Sequence, residues 1–335
     1  MNPSHPAVSV VMLAHNAGRF LAPAVRSVLN QDWRDLELVL RDDASTDGAV
    51  AALQAAERDP RLRVLPAAAA SLGIATGTNQ AVAQARGRYV AVMDHDDLAH
   101  PAKLARQVAW LDAHPVAAGV ACRTRLIDAD GCERGGDFTL HTPEEHRVFT
   151  AYAQAANFGS HLFRREVVAG LPRRVEFPFS SDFDFIARAN ERGGIAALPE
   201  VLFDYRVHAG QTTATRRREQ QAAECVIRCL TALRRAGRPE PLAAAPGWLA
   251  RLGAAAPGEL YAVAVGLCLE LDLPELATYH ARRHVGAAGV GRGGPEGLAL
   301  GARAMLRAGG RTLRCARLFF TGPLRTHGLR PWPPK

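Results

Sequence analysis

Residues 87–97 read Gly-Arg-Tyr-Val-Ala-Val-Met-Asp-His-Asp-Asp, and this segment carries the strongest signal for the fold class. Its middle, Tyr89 to Met93, is short, apolar and rich in β-formers between a glycine and a run of acids, the pattern of a buried strand. Asp94, Asp96 and Asp97 follow at the carboxyl end of that strand, where open α/β sheets bind their ligands. The crowded carboxylates indicate either a site for Mg²⁺ or Mn²⁺ or a solvated acidic turn that caps the next helix.

The residues upstream of this stretch alternate between strand and helix patterns. Three apolar runs are predicted strands, namely Val8 to Ala14, Leu36 to Leu40 and Arg61 to Leu65. The segments between them have helical spacing, which predicts βαβ units and a parallel sheet. The carboxyl ends of parallel strands lie along one edge, so His15-Asn16 and Asp42-Asp43 are expected to converge with the acids after Met93. This convergence favours the cation site over the acidic turn.

The residues downstream continue the α/β pattern and then change to helices alone. The sequence predicts strands at 119–127, 157–163 and 201–207, a helix at 181–192, and only helices from Thr212 onward. The fold class is therefore α/β, with a Rossmann-like, mostly parallel sheet flanked by helices and an all-helical C-terminal region.

The composition indicates a globular protein with ample core for about two domains. Apolar residues make up 48% of the 335 residues, and neither a signal-peptide pattern nor a membrane-spanning run is visible. The six cysteines form no CxxC pair, which favours reduced thiols in the cytoplasm over a zinc site or a disulfide framework.

The net charge of +8 lies entirely in the last part of the chain. From Gly297 onward there are eight basic residues and no acids, while the first 296 residues balance. This distribution argues against nucleic acid as a partner of the main body. Arg303, Arg307, Arg311 and Arg314 recur at three- and four-residue steps, so on a helix they would form one stripe. That stripe predicts either peripheral contact with an anionic membrane or a solvated or partner-binding basic face.

Four segments together resemble the inverting family 2 glycosyltransferases with the glycosyltransferase A fold. They are Val8 to Asn16, Val28 to Gln31, Asp42 to Gly48, and residues 87–97. The resemblance covers about the first 210 residues of the chain. It implies a metal-dependent enzyme that moves a sugar from a nucleotide diphosphate, UDP in the first place, to a glycan or lipid-linked acceptor, as in cell-envelope polysaccharide synthesis.

The resemblance also implies roles for residues in the first half of the sheet. Asp43 is similar to the carboxylate that accepts a hydrogen bond from the uracil of the donor, and Asn16 and Asn79 are implied to contact the same nucleotide sugar. Asp94 and Asp96 match the ends of the Asp-x-Asp motif. Asp94 is assigned to binding of the nucleotide-sugar donor, and Asp96 to direct coordination of the Mn²⁺ or Mg²⁺ ion that binds the diphosphate.

The catalytic base and a second metal ligand are implied further along the chain. Ser181-Asp182-Phe-Asp184 resembles the Glu-Asp-x-Asp pattern that opens a helix, which assigns the general base to Asp182, with Asp184 as the substitute. Judged by residue type alone, Asp182 would be a helix cap. The segment from Tyr205 to Thr212 resembles the Tyr-Arg-x-His segment, which makes His208 a metal ligand rather than an ordinary histidine.

The resemblance divides the chain into four parts and leaves two other functions open. Residues 1–100 are predicted to bind the nucleotide sugar, 101–211 to bind the acceptor, 212–294 to form a helical domain, and 295–335 to form the basic tail. Ser181 and Leu13 depart from the family pattern, which keeps open a nucleotide-sugar-binding scaffold without turnover. A sugar-nucleotide pyrophosphorylase is the other alternative, but the turn after the first strand lacks the glycine-rich phosphate loop that it needs. The expected location is the cytoplasm, with peripheral placement at the inner face of the plasma membrane as the further expectation.

Overall fold

The computed structural model describes residues 6–136, 145, 156–256 and 258–287. The chain divides into two compact units, residues 1–227 and 228–335. The boundary between the units falls inside a helix, whereas the change to helices alone comes earlier in the sequence. Within the described ranges, no helix is both long enough and apolar enough to cross a membrane.

The strands of the first unit belong to one sheet. In chain order they are β1 Val8–Ala14, β2 Leu36–Asp42, β3 Leu62–Leu65, β4 Tyr89–Asp94, β5 Leu98–Ala99, β6 Gly119–Ile127, β7 Glu133–Gly136, β8 Leu162–Arg164 and β9 Ile195–Arg206.

Helices flank the sheet, and after β9 the described secondary structure consists of helices. In chain order they are α1 Leu21–Leu29, α2 Ala49–Ala56, α3 Ile74–Ala83, α4 Lys103–Ala113, α5 Arg165–Gly170, α6 Ser181–Gly193, α7 Thr212–Thr215, α8 Arg217–Arg235, α9 Ala245–Gly253, α10 Leu260–Glu270 and α11 Pro274–Ala287.

The sheet is parallel in its first half and mixed in its second. Its order is β3-β2-β1-β4-β8-β6-β9-β5, with β7 beside β6. The pairs β1–β2, β1–β4, β2–β3 and β6–β9 are parallel. The pairs β4–β8, β6–β8, β6–β7 and β5–β9 are antiparallel. The mostly parallel arrangement expected from the sequence therefore holds for the first four strands, and short antiparallel strands join the two halves.

Both faces of the central strands are buried, which explains their continuous apolar sequence. Val10 and Met12 of β1 pack with α1 and α4 on one face, and Val11 packs with α3 and α6 on the other. The register puts Ala14 beside Asp42 and Leu13 beside Asp94, so β1, β2 and β4 end at the same edge.

Gly87 allows β4 to begin close to the backbone of β1. A Cβ atom at this position would lie 2.5 Å from the backbone nitrogen of Ser9 and 2.7 Å from the carbonyl carbon of Val8. The amide of Gly87 donates a hydrogen bond to the buried Ser9 hydroxyl, 2.8 Å away. The glycine before the central strand is therefore a packing requirement as well as a turn.

The strand predicted at 157–163 is wrong over most of its length. Residues Phe158–Ser160 form a 3-10 turn, and the strand begins only at Leu162. The turn forms because the Asn157 side chain accepts a hydrogen bond from the amide of Gly159, 2.9 Å away. An Asn that captures the backbone two residues onward competes with strand pairing.

The second unit is helical over its described residues. Its core includes the buried thiols of Cys229 and Cys268, whose sulfur atoms lie 3.5 Å apart, at hydrogen-bond distance, and form no disulfide. The linker predicted at 286–294 and the basic tail at 295–335 lie outside the described residues, apart from the end of α11.

Candidate active site

The turns that follow β1 and β2 are tied to each other. Asn16 lies in the left-handed region with φ +49°, and its side-chain oxygen accepts a hydrogen bond from the amide of Thr46, 2.8 Å away. Its own amide donates to the Ser45 hydroxyl, 3.1 Å away. The predicted donor contact of Asn16 stays a prediction. In this structure the side chain fixes the two strand ends relative to each other.

Asp43 holds the segment that leads into α3. Its side chain is 2% exposed and accepts hydrogen bonds from the Ser71 hydroxyl at 2.7 Å and from the amides of Leu72 and Gly73 at 2.7 and 3.2 Å. A carboxylate has about four acceptor positions, so one remains for a further donor such as the uracil imide. The contact with the nucleotide base therefore stays a prediction that the geometry permits.

The acids after β4 meet the segment after β9. The carboxylate of Asp96 lies 2.9 Å from the Nε2 atom of His208, and both side chains are largely buried. Arg206 holds the two segments together through two hydrogen bonds. Its amide donates to the Asp97 carboxylate at 2.8 Å, and its Nε donates to the Asp96 carbonyl at 2.7 Å. The Phe20 ring packs on the imidazole with centroids 4.8 Å apart. The two predicted metal ligands thus lie in contact.

Asp94 is the last residue of β4 and is exposed. Solvent reaches its side chain, yet surrounding protein atoms and the charge of Asp96 raise its pKa to about 6. The charges of Arg173 and His95 oppose this rise, and that of Asp182 adds to it. The same interactions bring the predicted base, Asp182, within electrostatic range of the acids after β4.

Asp182 lies in the first turn of α6 and is half-buried. Ser180, the residue before this helix, is left-handed with φ +61°, which turns the chain sharply into α6. The predicted base therefore lies at the start of α6, and its charge acts on Asp94 at the end of β4.

Asp184, the substitute base, is part of a buried ion-pair cluster. Its side chain is fully buried and pairs with Arg188 at 2.7 Å and Arg174 at 3.3 Å. A carboxylate held by two guanidinium groups is a weak proton acceptor. Its role is to anchor α6 to the preceding segment, which leaves Asp182 as the candidate base.

We expect Asp184→Ala to lower the free energy of unfolding by about 3–5 kcal/mol, because it leaves the buried Arg188 guanidinium without its carboxylate. Urea unfolding of the full chain measures this change. Glu191→Gln on the exposed side of the same helix is the matched control. A loss below about 1 kcal/mol would show that the cluster is not structural.

Asn79 is engaged with Arg173 rather than exposed to a ligand. Its side-chain nitrogen donates to the Arg173 carbonyl and its side-chain oxygen accepts from the Arg173 amide, each at 2.9 Å. Both polar groups of the amide are therefore used. The implied donor contact of Asn79 stays a prediction, and its observed contribution is to fix the backbone of a buried arginine. Sequence reasoning did not single out Arg173.

The raised pKa of Asp94 predicts how this site affects stability. Between the ordinary value of 3.8 and the folded value of about 6, the folded chain binds more protons at Asp94 than the unfolded chain does. The contribution of Asp94 to stability therefore falls as the pH rises through this interval. We expect Asp94→Asn to have a higher melting temperature than the original chain at pH 7.5, with the difference closing toward pH 4. A difference that is constant with pH would contradict this explanation.

The oxygen and nitrogen atoms at this edge of the sheet suit a divalent cation whose remaining ligands come from a bound substrate. Asp96 and His208 face each other through one oxygen and one nitrogen atom, and Asp94 adds a second carboxylate nearby. No group of three or more His, Cys, Asp or Glu side chains within the described ranges is arranged to hold a metal ion. Mg²⁺ usually takes one or two carboxylates from the protein and its other ligands from phosphates and water. This protein offers such an incomplete set.

Comparison with known proteins identifies the first unit. The model of glycosyl transferase family 2 matches residues 9–175. An uncharacterized glycosyltransferase of Haemophilus influenzae is 25% identical over 226 residues, which is 64% of this chain and 70% of that protein. The putative teichuronic acid biosynthesis glycosyltransferase TuaG of Bacillus subtilis is 38% identical over 107 residues, but these are only 32% of this chain and 42% of that protein.

Solved structures share the fold at low sequence identity. Staphylococcus aureus TarS 1–349 in complex with UDP-GlcNAc superposes with a TM-score of 0.60 and 17% identity, over 93% of this chain and 90% of that one. The mannosyltransferase PcManGT of Pyrobaculum calidifontis, in complex with GDP-Man and Mn²⁺, has a TM-score of 0.53 and 21% identity, over 95% and 85% of the two chains. At these identities the likeness concerns the fold. With the matching family model, it shows that the chain belongs to glycosyl transferase family 2, has the glycosyltransferase A fold and is a glycosyltransferase.

Proposed function

We propose that this glycosyltransferase is metal-dependent and inverting, and that it transfers a sugar from a UDP-sugar to a saccharide or lipid-linked saccharide acceptor. One observation carries the proposal: Asp96 and His208 lie 2.9 Å apart at the end of the central strand, with Asp94 and Asp182 in the same electrostatic cluster. The arrangement joins a partial ligand set for a cation to one separate carboxylate. An inverting transfer needs both and needs no second, nucleophilic carboxylate.

We assign to Asp182 the role of the base that accepts the proton of the acceptor hydroxyl. As the acceptor oxygen bonds to the anomeric carbon, its proton has to leave, and a carboxylate on the side of the sugar away from the diphosphate can accept it. Asp182 begins α6, while Asp96 follows β4, so the two carboxylates approach the site from different elements. Ser181 at the neighbouring position is buried, so it leaves the acceptor contacts to other residues.

Asp96 and His208 would hold Mn²⁺ or Mg²⁺, with Asp94 beside them. When bound, such an ion supplies Lewis-acid stabilisation of the negative charge that develops on the leaving diphosphate. The protein contributes the fixed geometry. Arg206 holds the backbone of Asp96, and the Phe20 ring limits the rotation of the imidazole.

The choice of UDP and of an envelope polysaccharide is supported by similar proteins. One structure of the same fold was solved with UDP-GlcNAc, and another with GDP-Man and Mn²⁺. One relative is named for teichuronic acid biosynthesis. Asp43 retains one acceptor position for an N–H donor, which the imide of uracil can fill.

The measurement that tests this function is the release of UDP from a panel of UDP-sugars by the full chain, with and without Mn²⁺. We expect release that depends on the cation and rises with saccharide acceptors. Nucleotide binding without turnover on any acceptor would instead support the donor-binding scaffold. Release of UTP from UDP-sugar and pyrophosphate would support the pyrophosphorylase.

Membrane contact stays a prediction from charge alone. The arginines that predict it, from Arg303 to Arg314, lie outside the described residues. Such a contact would suit an enzyme whose acceptor is lipid-linked, and it would place the protein at the inner face of the plasma membrane.

A further inference from the structure

Arg173 is a buried cation that forms no ion pair with any of the residues that the structure describes. It lies between α5 and α6, its side chain is 8% exposed, and its guanidinium lies over the Phe158 ring at 4.4 Å from the centroid. No carboxylate in the described part of the chain forms an ion pair with it. Its neighbour Arg174, in contrast, pairs with Asp184 at 3.3 Å. An arginine that is nearly removed from water normally has such a partner.

The position of Arg173 is fixed by another element of the sheet domain. Asn79 of α3 binds both its amide and its carbonyl at 2.9 Å, across 94 residues of sequence. The guanidinium also lies over the Phe158 ring, a favourable cation–π contact. Contacts at both its backbone and its guanidinium therefore restrict the position of Arg173.

Arg173 lies in the segment that leads into α6, whose first turn carries the predicted base Asp182. Burial lowers its pKa, and the charges of Asp182 and Asp94 partly offset that effect. The guanidinium is therefore within electrostatic range of both the predicted base and the donor-side acid, although it is in ion-pair contact with neither. It provides positive charge near carboxylates that would otherwise repel an anionic donor.

We propose that Arg173 binds an oxyanion of the donor, in the first place the β-phosphate of the diphosphate. This inference rests on the proposed function. The planar guanidinium fork matches a phosphate or a carboxylate, and binding would give the buried cation an anionic partner that the described residues do not provide. The same chemistry would fit a carboxylate on the transferred sugar, so the test has to separate the two.

Titration calorimetry with Mn²⁺ present compares UDP, UMP, UDP-glucose and UDP-glucuronic acid on the full chain. We expect Arg173→Gln to weaken UDP binding by about 10–100-fold and UMP binding by less than about threefold, because UMP lacks the β-phosphate. Arg173→Lys keeps the charge but loses the fork, so its loss should be smaller. Arg165→Gln, which removes an exposed charge at the start of α5, is the matched control and should bind all four ligands as the original chain does.

The outcomes are distinguishable. A loss confined to UDP-glucuronic acid would assign the cation to a sugar carboxylate, whereas equal losses for UDP and both UDP-sugars assign it to the β-phosphate. The ratio of UDP to UMP affinity is an internal control, because a misfolded variant loses both. An unchanged ratio in both Arg173 variants, together with unchanged binding of UDP-glucuronic acid, would overturn the inference while leaving the proposed function intact. Failure of the original chain to bind any of the four nucleotides would overturn both.

Discussion

Replacing Asp96 by alanine is expected to lower UDP release by at least about 10²–10³-fold and to abolish its dependence on Mn²⁺. The substitution removes the oxygen that lies 2.9 Å from the His208 imidazole, so only one of the two facing donor atoms remains. Steady-state UDP release across a Mn²⁺ titration measures both effects. The affinity for UMP without metal should change little, because the groups assigned to the nucleoside lie elsewhere.

This loss should occur without loss of fold. Burial, and after it the charge of Asp96, raises the pKa of both Asp94 and Asp97, so removal of that charge relieves repulsion among three neighbouring acids. The melting temperature of Asp96→Ala should therefore be no lower than that of the original chain. Asp130→Ala removes an exposed carboxylate and serves as the control. Turnover within about threefold of the original chain, or an unchanged Mn²⁺ response, would exclude Asp96 as a ligand.

Replacing Asp182 by asparagine should reduce kcat by about 10²–10⁴-fold, which is the usual contribution of a positioned general base. Asparagine keeps the size of the side chain and can still accept a hydrogen bond, but it cannot take up the proton of the acceptor hydroxyl. The affinity for UDP with Mn²⁺ should stay within about threefold. Rapid-quench single-turnover kinetics, together with calorimetry, separate the chemical step from donor binding.

Glu191→Gln is the control, because it removes a carboxylate from the exposed side of the same helix. If Asp182→Asn raises KM and leaves kcat unchanged, the residue binds the acceptor and another group accepts the proton. If neither parameter changes, Asp182 is only the helix-capping acid that its position at the start of α6 also permits.

The first half of the fold was predictable because its strands are buried on both faces. Such strands need continuous apolar residues, and Val8 to Ala14 and Tyr89 to Met93 provide them. The junction at 157–163 could not be recognised as a strand or a turn from apolar content alone. There, the hydrogen bond from Gly159 to Asn157 overrides the tendency of the flanking residues to form a strand.

The candidate site was predictable only where a motif carries it. Periodicity places Asp96 at a strand end, but its contact with His208 was expected from the resemblance alone. The ion pair of Asp184 with Arg188 had a readable signal, since the two are four residues apart on a helix. Arg173 had no such signal. In a segment without helical or strand periodicity, the sequence does not distinguish a buried arginine from a solvated one.

The meeting of Asp96 and His208 has a thermodynamic consequence. The two residues are 112 positions apart, and the bonds of Arg206 to Asp96 and Asp97 are among those that keep their segments together. An unfolded chain therefore has no preformed ligand pair. Any cation that this pair binds must favour the folded over the unfolded state, by an amount that grows with the logarithm of its concentration once the site is saturated. Occupancy of the site and integrity of the sheet are thus linked equilibria.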